Sequence, residues 1–160
     1  MDRLDKRILS ELQADGTLTN AELAERVGLS ATPCARRVKQ LEEEGVIARR
    51  VVLLNASKLG LKLHALVQIS MDKHTPDRFE HFESEVRKHP EVIELMLITG
   101  QSADYLLKLV LPDMEHYHDF LLNKITRIEG VADVHSSFIM RRVIENTALP
   151  LDYIPETGRA

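Results

Sequence analysis

Apolar residues recur at helical spacing through the first 45 residues of the chain. A first helix is predicted by the apolar stripe Leu4, Ile8, Leu9 and Leu12. A second helix begins where Thr19 and Glu22 have the spacing of a capping box, and Gly28 is placed to end it. Ser30 is placed to cap a third helix, with Pro33 in its first turn. A short helix, a turn that contains glycine and a further helix form the helix-turn-helix arrangement.

The predicted third helix has one apolar face and one basic face. Cys34, Val38 and Leu41 fall at i, i+4 and i+7, so they are expected to face the other two helices. The opposite face carries Thr32, Arg36, Lys39 and Gln40, with Pro33 and Arg37 on its flank. A recognition helix enters the DNA major groove by its N-terminal half. The predicted DNA-contacting residues are therefore Ser30, Ala31, Thr32, Pro33, Arg36, Arg37, Lys39 and Gln40.

A solvated surface helix is the alternative interpretation of this basic face, because short charge runs are common on exposed helices. The capped helix before it, the glycine turn and the apolar spacing together favour DNA binding. Residues 46–54 are β-branched and aliphatic, and they predict a strand or wing after the helices. Arg49 and Arg50 in this strand are predicted either to contact phosphate or to protect an exposed strand edge.

The pattern changes at Leu63, where alternating apolar residues predict a strand. Helical spacing follows over residues 77–89, then two strands flank the turn GQSA, then helical spacing returns over residues 113–129. A long strand over residues 131–144 completes the order βαββαβ, the ferredoxin-like arrangement. The chain is thus predicted to be α+β.

The two middle strands, VIELMLIT and DYLLKLVL, are almost continuously apolar, which is typical of strands buried on both faces. Two helices cover only one face of a four-stranded sheet. A second copy of the chain is the simplest cover for the other face, so a homodimer is predicted.

Composition adds few constraints. The net charge of −4 is spread unevenly, because residues 1–54 hold nine basic and nine acidic side chains and the excess acid lies later in the chain. A locally basic helix can still bind phosphate. No membrane span or signal peptide is expected, and the single cysteine, Cys34, fits a cytoplasmic protein. The seven histidines show no zinc-binding spacing, and no cofactor or catalytic motif is predicted.

The strings LDKRILSELQADG, TNAELAERVGLS, TPCARRVKQLEEEGVI and TALPL resemble the Lrp/AsnC (feast/famine) transcriptional regulators. The resemblance implies a winged helix-turn-helix domain over residues 1–46 and a linking strand over residues 47–62. It also implies a ferredoxin-like effector-binding (RAM) domain over residues 63–151 and a tail over residues 152–160. The expected partners are double-stranded DNA and further copies of the chain, as dimers that assemble into tetramers or octamers. The expected location is the cytoplasm, in association with the nucleoid.

The same resemblance implies that a free amino acid binds between dimers, near a glycine–acid turn. The implied effector-binding residues are Leu97, Thr99, Gly100, Gln101, Asp104, Tyr105, Ser136 and Ser137. Gln101 replaces the first acid of the family's turn, and the turn here is one residue longer. Apolar neighbours favour leucine, methionine or another aliphatic amino acid as the effector. Asp104 is predicted to hold the ligand's ammonium, or alternatively to satisfy N–H groups of the local backbone.

Two other functions belong to different classes. Some chains of this plan are sirohaem decarboxylases, which would need basic residues and histidine around a tetrapyrrole. The basic face of the third helix argues against that activity. A purely architectural protein that wraps DNA without an effector is the second alternative, and competition by random DNA would distinguish it from a specific regulator.

Overall fold

The computed structural model describes residues 1–100 and 103–156, and the chain divides into two compact units. One unit comprises residues 1–53 and the segment from residue 144 onward, and the other comprises residues 54–143. Each unit contains its own apolar core. The predicted α+β class, with a helix-turn-helix unit before a ferredoxin-like unit, is confirmed.

Three helices build the first unit, namely α1 (Arg3–Ala14), α2 (Asn20–Val27) and α3 (Ala31–Glu43). The predicted capping box starts α2, since the Thr19 hydroxyl accepts from the Glu22 N–H and the Glu22 carboxylate accepts from the Thr19 N–H. Gly28 ends α2 with φ of 74°, a left-handed conformation that favours glycine. The core between the helices includes Ile8, Leu23, Val27, Cys34, Val38 and Leu41.

A partly buried ion pair connects the start of α1 to the middle of α3. The Arg37 guanidinium lies 2.8 Å from a carboxylate oxygen of Asp5 and 2.6 Å from one of Asp2. Asp5 is fully buried, and the two aspartates also form the capping box of α1. Burial raises the pKa of Asp2, but hydrogen bonds from the Asp5 N–H and Arg37 outweigh burial and hold this pKa below its usual value. Arg37 therefore neutralises a carboxylate that would otherwise be buried without a counter-charge.

The segment after α3 differs from its prediction. Residues 46–54 lie in the described part of the chain and form no strand. The side chains of Val51, Val52, Leu53 and Leu54 are 63–84% exposed. A strand needs a neighbouring strand to satisfy its backbone, and these residues pair with no strand among the described residues. The predicted wing is therefore absent from the described single chain.

The second unit has the predicted βαββαβ order, with β1 (Leu63–Met71), α4 (Pro76–Val86), β2 (Val92–Leu97), β3 (Tyr105–Leu111), α5 (Met114–Asn123) and β4 (Val131–Phe138). The strands are antiparallel in the order β2-β3-β1-β4, which makes β2 and β4 the two edges. The buried face of the sheet includes Ala65, Val67, Ile69, Tyr105, Leu107 and Leu109, and it packs with Phe82 and Phe120 of the helices.

Several elements end earlier than predicted, including α4 at Val86 and β2 at Leu97, and the last two elements differ most. The helix predicted to reach residue 129 ends at Asn123, and a 3-10 turn over Ile125–Arg127 follows it. The last strand ends at Phe138 instead of residue 144. Its neighbour β1 begins at Leu63, and the hydrogen bond from the Ile139 N–H to the His64 carbonyl, 2.9 Å long, is next to that end. Past this bond, β1 offers no further residues with which β4 could pair.

The face of the sheet opposite the helices is mixed. Leu66, Leu106 and Val110 are half-buried on it, beside the ion pair of Lys108 and Glu94. The sequence predicted that β2 and β3 are buried on both faces, and this prediction is met in part. The residues of β3 alternate between buried and half-buried, while β2 leaves Ile93 and Leu97 exposed.

The segment after β4 returns to the first unit. The side-chain amide of Gln13 donates to the Leu149 carbonyl and accepts from the Leu149 N–H. Leu151 packs against the core of the three helices, and the Lys6 ammonium donates to the Ile154 carbonyl. Residues 144–156 thus belong with the first unit, whereas the sequence placed the domain boundary at residue 151.

We expect Arg37→Met to lower the free energy of unfolding by about 3 kcal/mol, because it leaves the buried Asp5 carboxylate without its counter-charge. Lys39→Met is the matched control, since its 3.5 Å pair with Glu43 is exposed and its removal should cost less than about 0.5 kcal/mol. Urea denaturation of the full chain measures both. Equal stability of the two variants would contradict the structural role of Arg37.

Candidate functional site

The exposed face of α3 has the orientation predicted from the sequence. Thr32, Arg36 and Lys39 are exposed, and they lie opposite the buried residues Cys34, Val38 and Leu41. Lys39 lies 3.5 Å from Glu43, and the Gln40 side chain donates to Glu44, so both residues point toward the acidic end of the helix. Arg36 and Thr32 belong to the N-terminal half, which the acids do not reach. This half presents a guanidinium and a hydroxyl to solvent.

Two predicted DNA-contacting residues, Arg37 and Pro33, are less exposed than that face, and Ser30 is exposed at the start of the helix. Arg37 was placed on the flank of that face, but its guanidinium is held by Asp2 and Asp5 and its side chain is 21% exposed. Pro33 is half-buried. Ser30 occupies the N-cap of α3 beside the exposed Ala31, yet its side chain makes no capping hydrogen bond. The predicted capping by the Ser30 hydroxyl is therefore wrong, which leaves that hydroxyl available at the start of the helix.

A groove of about 460 Å³ borders the exposed face of α3. Thr19 and Asn20 at the start of α2 line one side of it, and Lys39 and Arg50 line another. Arg50 lies 3.4 Å from Glu42. Asn20 was not singled out from the sequence. Its position could have been inferred from the helix-turn-helix arrangement, in which the first helix of the motif crosses the DNA backbone.

The second candidate site is the turn between β2 and β3. The Ile98 N–H donates to the Asp104 carbonyl and the Asp104 N–H donates to the Ile69 carbonyl, both at 2.8 Å. These bonds close the base of the turn against the sheet. Thr99 and Gly100 are exposed, and Gln101 lies outside the described residues. A Cβ added at Gly100 would meet no atom within 4 Å, so the turn leaves open space there.

Asp104 has partners for both of its carboxylate oxygens. One oxygen accepts from the Met71 N–H at 2.7 Å, and the other lies 2.8 Å from the His74 ring nitrogen. The sequence left open whether Asp104 binds a ligand ammonium or satisfies the local backbone. These contacts favour the backbone role, because the carboxylate already fixes the end of β1 and the start of β3.

Tyr105 and Leu97 lie on a cleft of about 310 Å³ beside α4. The Tyr105 ring is buried, and its hydroxyl donates to a carboxylate oxygen of Glu83 at 2.9 Å. Burial and this hydrogen bond raise the pKa of Tyr105 above its usual value, so the hydroxyl stays a donor. Glu83 and Arg87 complete the cleft with Leu95. Neither charged residue was predicted from the sequence, although their i, i+4 spacing on a predicted helix was a readable signal.

Ser136 and Ser137 lie on β4, one edge of the sheet, whereas Leu97 lies on β2, the other edge. Ser136 pairs with the buried Val67 and accepts from the Tyr117 hydroxyl, while Ser137 pairs with Leu66 on the opposite face. Strand order therefore separates both serines from Leu97 within one chain, and their grouping stays a prediction for a site between dimers.

The described residues give little sign of other chemistry. Within residues 1–100 and 103–156, no helix is long and apolar enough to cross a membrane. The same residues contain no group of three or more His, Cys, Asp or Glu side chains placed to hold a metal ion. Cys34 is buried, and burial raises the pKa of its thiol. Cys34 is therefore a core residue.

Known proteins resemble this chain over both units. Residues 1–48 match the winged helix-turn-helix DNA-binding model, and residues 64–149 match the Lrp/AsnC ligand binding domain. The leucine-responsive regulatory protein of Escherichia coli (strain K12) is 42% identical over 93% of this chain and 90% of its own length.

Two solved structures have the same architecture. A Neisseria meningitidis transcriptional regulator in complex with L-methionine has a TM-score of 0.93 and 40% identity, covering 97% of this chain and 99% of the other. An AsnC family transcriptional regulator from Agrobacterium tumefaciens has a TM-score of 0.91 and 44% identity, covering 97% of this chain and 100% of the other. The chain therefore belongs to the Lrp/AsnC family of transcriptional regulators, with a helix-turn-helix DNA-binding domain followed by an amino-acid-binding domain.

Proposed function

We propose that this regulator reads specific DNA sites through the exposed face of α3 and changes its DNA affinity when a small apolar amino acid binds its second unit. The observation that carries the DNA contact is the exposure of Thr32 and Arg36 opposite the buried stripe of the helix. An arginine in the major groove recognises guanine through two hydrogen bonds. A threonine forms a hydrogen bond with a base edge or packs its methyl group against the methyl group of thymine. Arg36 is the proposed base-reading residue, and Lys39 the proposed phosphate contact.

The remaining predicted contacts divide by environment. Ser30 and Ala31 are exposed at the start of α3 and Gln40 is half-buried near its end, and all three are proposed to approach the DNA backbone. Arg37 is proposed to act indirectly, since it holds α3 against α1. The groove lined by Asn20 and Arg50 lies next to this face, and a phosphate group is its proposed occupant.

An apolar amino acid is the proposed effector. The similar Neisseria meningitidis protein was solved with L-methionine, and the similar Escherichia coli protein is named for its response to leucine. In this chain Leu97 is 59% exposed beside the turn that ends at Asp104, so an aliphatic side chain would find an apolar surface there. Thr99, Gly100 and Gln101 are proposed to contribute through the turn, and Ser136 and Ser137 through a neighbouring copy of the chain.

Assembly is the proposed connection between effector and DNA. The exposed apolar run from Val51 to Leu54 has the composition of a strand and pairs with no strand in the described part of the chain. The open face of the sheet presents Leu66, Leu106 and Val110. We propose that a second copy covers both surfaces, that such dimers form tetramers or octamers, and that the effector binds one assembly more tightly than another. A regulator of this kind acts on DNA in the cytoplasm, in association with the nucleoid, and not as an enzyme.

Loss of Arg36 should weaken sequence-specific binding. Sites are first enriched from a random duplex pool with the wild-type protein, and affinity is then measured by fluorescence anisotropy. We expect Arg36→Ala to cost about 1–3 kcal/mol on the enriched site and much less on random DNA. Lys39→Ala should instead weaken binding to the enriched site and to random DNA alike, and it should reduce the slope of log affinity against log salt by about one.

Lys73→Ala is the matched control for these variants, since it removes one exposed positive charge from the second unit. It should leave both affinities unchanged. Equal binding of Arg36→Ala and wild type on the enriched site would refute the assignment of Arg36. A wild-type protein that binds random and enriched DNA equally would favour the architectural alternative.

The effector class can be tested by thermal unfolding in the presence of each of the twenty amino acids. A ligand selective for the native state stabilises it by about 2.7 kcal/mol at a hundred times its Kd. We expect leucine, methionine or another aliphatic amino acid to raise the Tm most, and aspartate and lysine to leave it unchanged. A response to charged amino acids alone would contradict an apolar effector.

A further inference from the structure

Residues 146–154, which we call the return segment, lie along α1 and run in the direction opposite to that helix. Leu149 contacts Gln13 near the end of α1, and Ile154 contacts Lys6 near its start. Gln13 and Lys6 are seven positions apart, so they lie on one face of the helix, separated by roughly 10 Å along its axis. The return segment is therefore held at two points, two turns of α1 apart.

The Gln13 side chain binds the backbone of Leu149 through both of its polar atoms. Its Nε2 donates to the Leu149 carbonyl at 3.2 Å, and its Oε1 accepts from the Leu149 N–H at 2.6 Å. Two residues of neighbouring antiparallel strands exchange the same two kinds of hydrogen bond. The Leu149 side chain is 72% exposed and takes no part in this contact. Gln13 thus recognises extended backbone rather than a particular side chain.

The return segment has the residues that such docking requires. The Ala148 N–H donates to the Asn146 side chain at 2.9 Å, which forms a turn at the start of the segment. Pro150 has no N–H to leave unsatisfied, and its backbone is extended. Leu151 packs against the core of the three helices. The string TALPL therefore supplies a backbone contact at residue 149 and an apolar contact at residue 151.

The chain that connects β4 to the return segment is largely exposed. Residues 139–145 form neither a helix nor a strand. The side chains of Met140, Val143 and Ile144 are 79–95% exposed. This connector buries little apolar surface, so the contacts of Leu149, Leu151 and Ile154 hold the return segment in place. A segment held by so few contacts opens more easily than the core beneath it.

The first turns of α1 contact both the return segment and the recognition helix. The carboxylates of Asp2 and Asp5 bind the Arg37 guanidinium of α3. Lys6, the residue after Asp5, donates to the Ile154 carbonyl of the return segment. A shift of α1 would therefore move the carboxylates that hold Arg37.

We propose that α1 carries a docking site for the chain's own residues 146–154, that Gln13 recognises this peptide, and that its docking positions α3 for DNA binding. Gln13 and Leu151 are then positioning residues, since neither belongs to α3. The inference rests on the proposed function in one respect, namely that α3 contacts DNA. The docking itself can be measured without DNA, so the two fail separately.

Hydrogen exchange of the full-length protein, followed by NMR, tests the docking. Gln13→Ala removes both bonds to Leu149 and should raise the exchange rate of the Leu149 N–H by about tenfold or more. The Leu107 N–H in β3 should exchange at its wild-type rate. Ser10→Ala is the matched control, because it changes an exposed residue of the same helix, and it should alter neither rate. Equal exchange of Leu149 in Gln13→Ala and wild type would overturn the docking.

A peptide of residues 146–156, labelled with fluorescein and added to a chain that ends at Glu145, measures recognition by Gln13 directly. A peptide that is N-methylated at Leu149 lacks the N–H that Gln13 accepts, so it should bind about tenfold more weakly. In the shortened chain that also carries Gln13→Ala, the two peptides should bind equally well. A variant that was merely less well folded would keep the difference between them.

Equal binding of both peptides to the shortened chain that retains Gln13 would overturn the recognition. A shortened chain that binds no peptide and differs from the full-length protein in assembly, by light scattering, would overturn it in favour of a contact between copies. If the shortened chain does not fold, the hydrogen exchange and DNA measurements on the full-length variants decide.

DNA affinity tests the positioning role. In the full-length protein, Gln13→Ala and Leu151→Ala should weaken binding to the enriched site by about threefold to tenfold. Binding to random DNA should change much less, because base contacts depend on the orientation of α3 more than phosphate contacts do. Faster exchange of Leu149 with unchanged affinity for the enriched site would overturn the positioning role. If Arg36→Ala binds that site as wild type does, the proposed contact of Arg36 with DNA fails while the docking result stands.

Discussion

The rotation of α3 about its own axis is the constraint on which the DNA-binding unit depends. A helix turns by about 100° per residue, so a small rotation would move Arg36 away from solvent. The buried residues Cys34 and Val38 set this rotation from one side. The ion pair of Arg37 with the fully buried Asp5 fixes it from the other. Arg37 is proposed not to touch DNA, and its ion pair fixes the orientation of Arg36, which is proposed to touch it.

The second unit depends on a sheet whose helices cover one face only. Strand alternation sends Tyr105 and its neighbours into the core and leaves Leu66 and Leu106 on the opposite face. Effector binding is proposed at the turn after β2, where Leu97 pairs with Tyr105 on the helix side, and assembly on the other side. The two roles can coexist because a strand presents alternate side chains to opposite faces. The return of residues 144–156 to the first unit gives the chain a second covalent connection between the units.

Features set by residues close together in the sequence could be predicted, whereas contacts between distant residues could not. The capping box of Thr19 and Glu22 and the helical stripe of α3 involve residues within a few positions of each other, so pattern alone identifies them. The pairing of Arg37 with Asp5 spans 32 positions, and nothing local marks it. Strand order, likewise a global property, places Ser136 on the edge of the sheet opposite Leu97. The wing predicted over residues 46–54 needs a partner strand that a single chain does not supply.

Disulfide trapping on DNA tests the central claim most directly, since the claim is that the N-terminal half of α3 faces base edges. Thr32→Cys and Glu44→Cys place a thiol at opposite ends of α3, while the native Cys34 is buried and serves as the background. Each variant is mixed with the enriched DNA site carrying a thiol tethered to a base in the major groove. We expect a cross-link from residue 32 and none from residue 44 or from the wild type. A cross-link from residue 44 alone, or equal yields from both positions, would contradict this placement of α3.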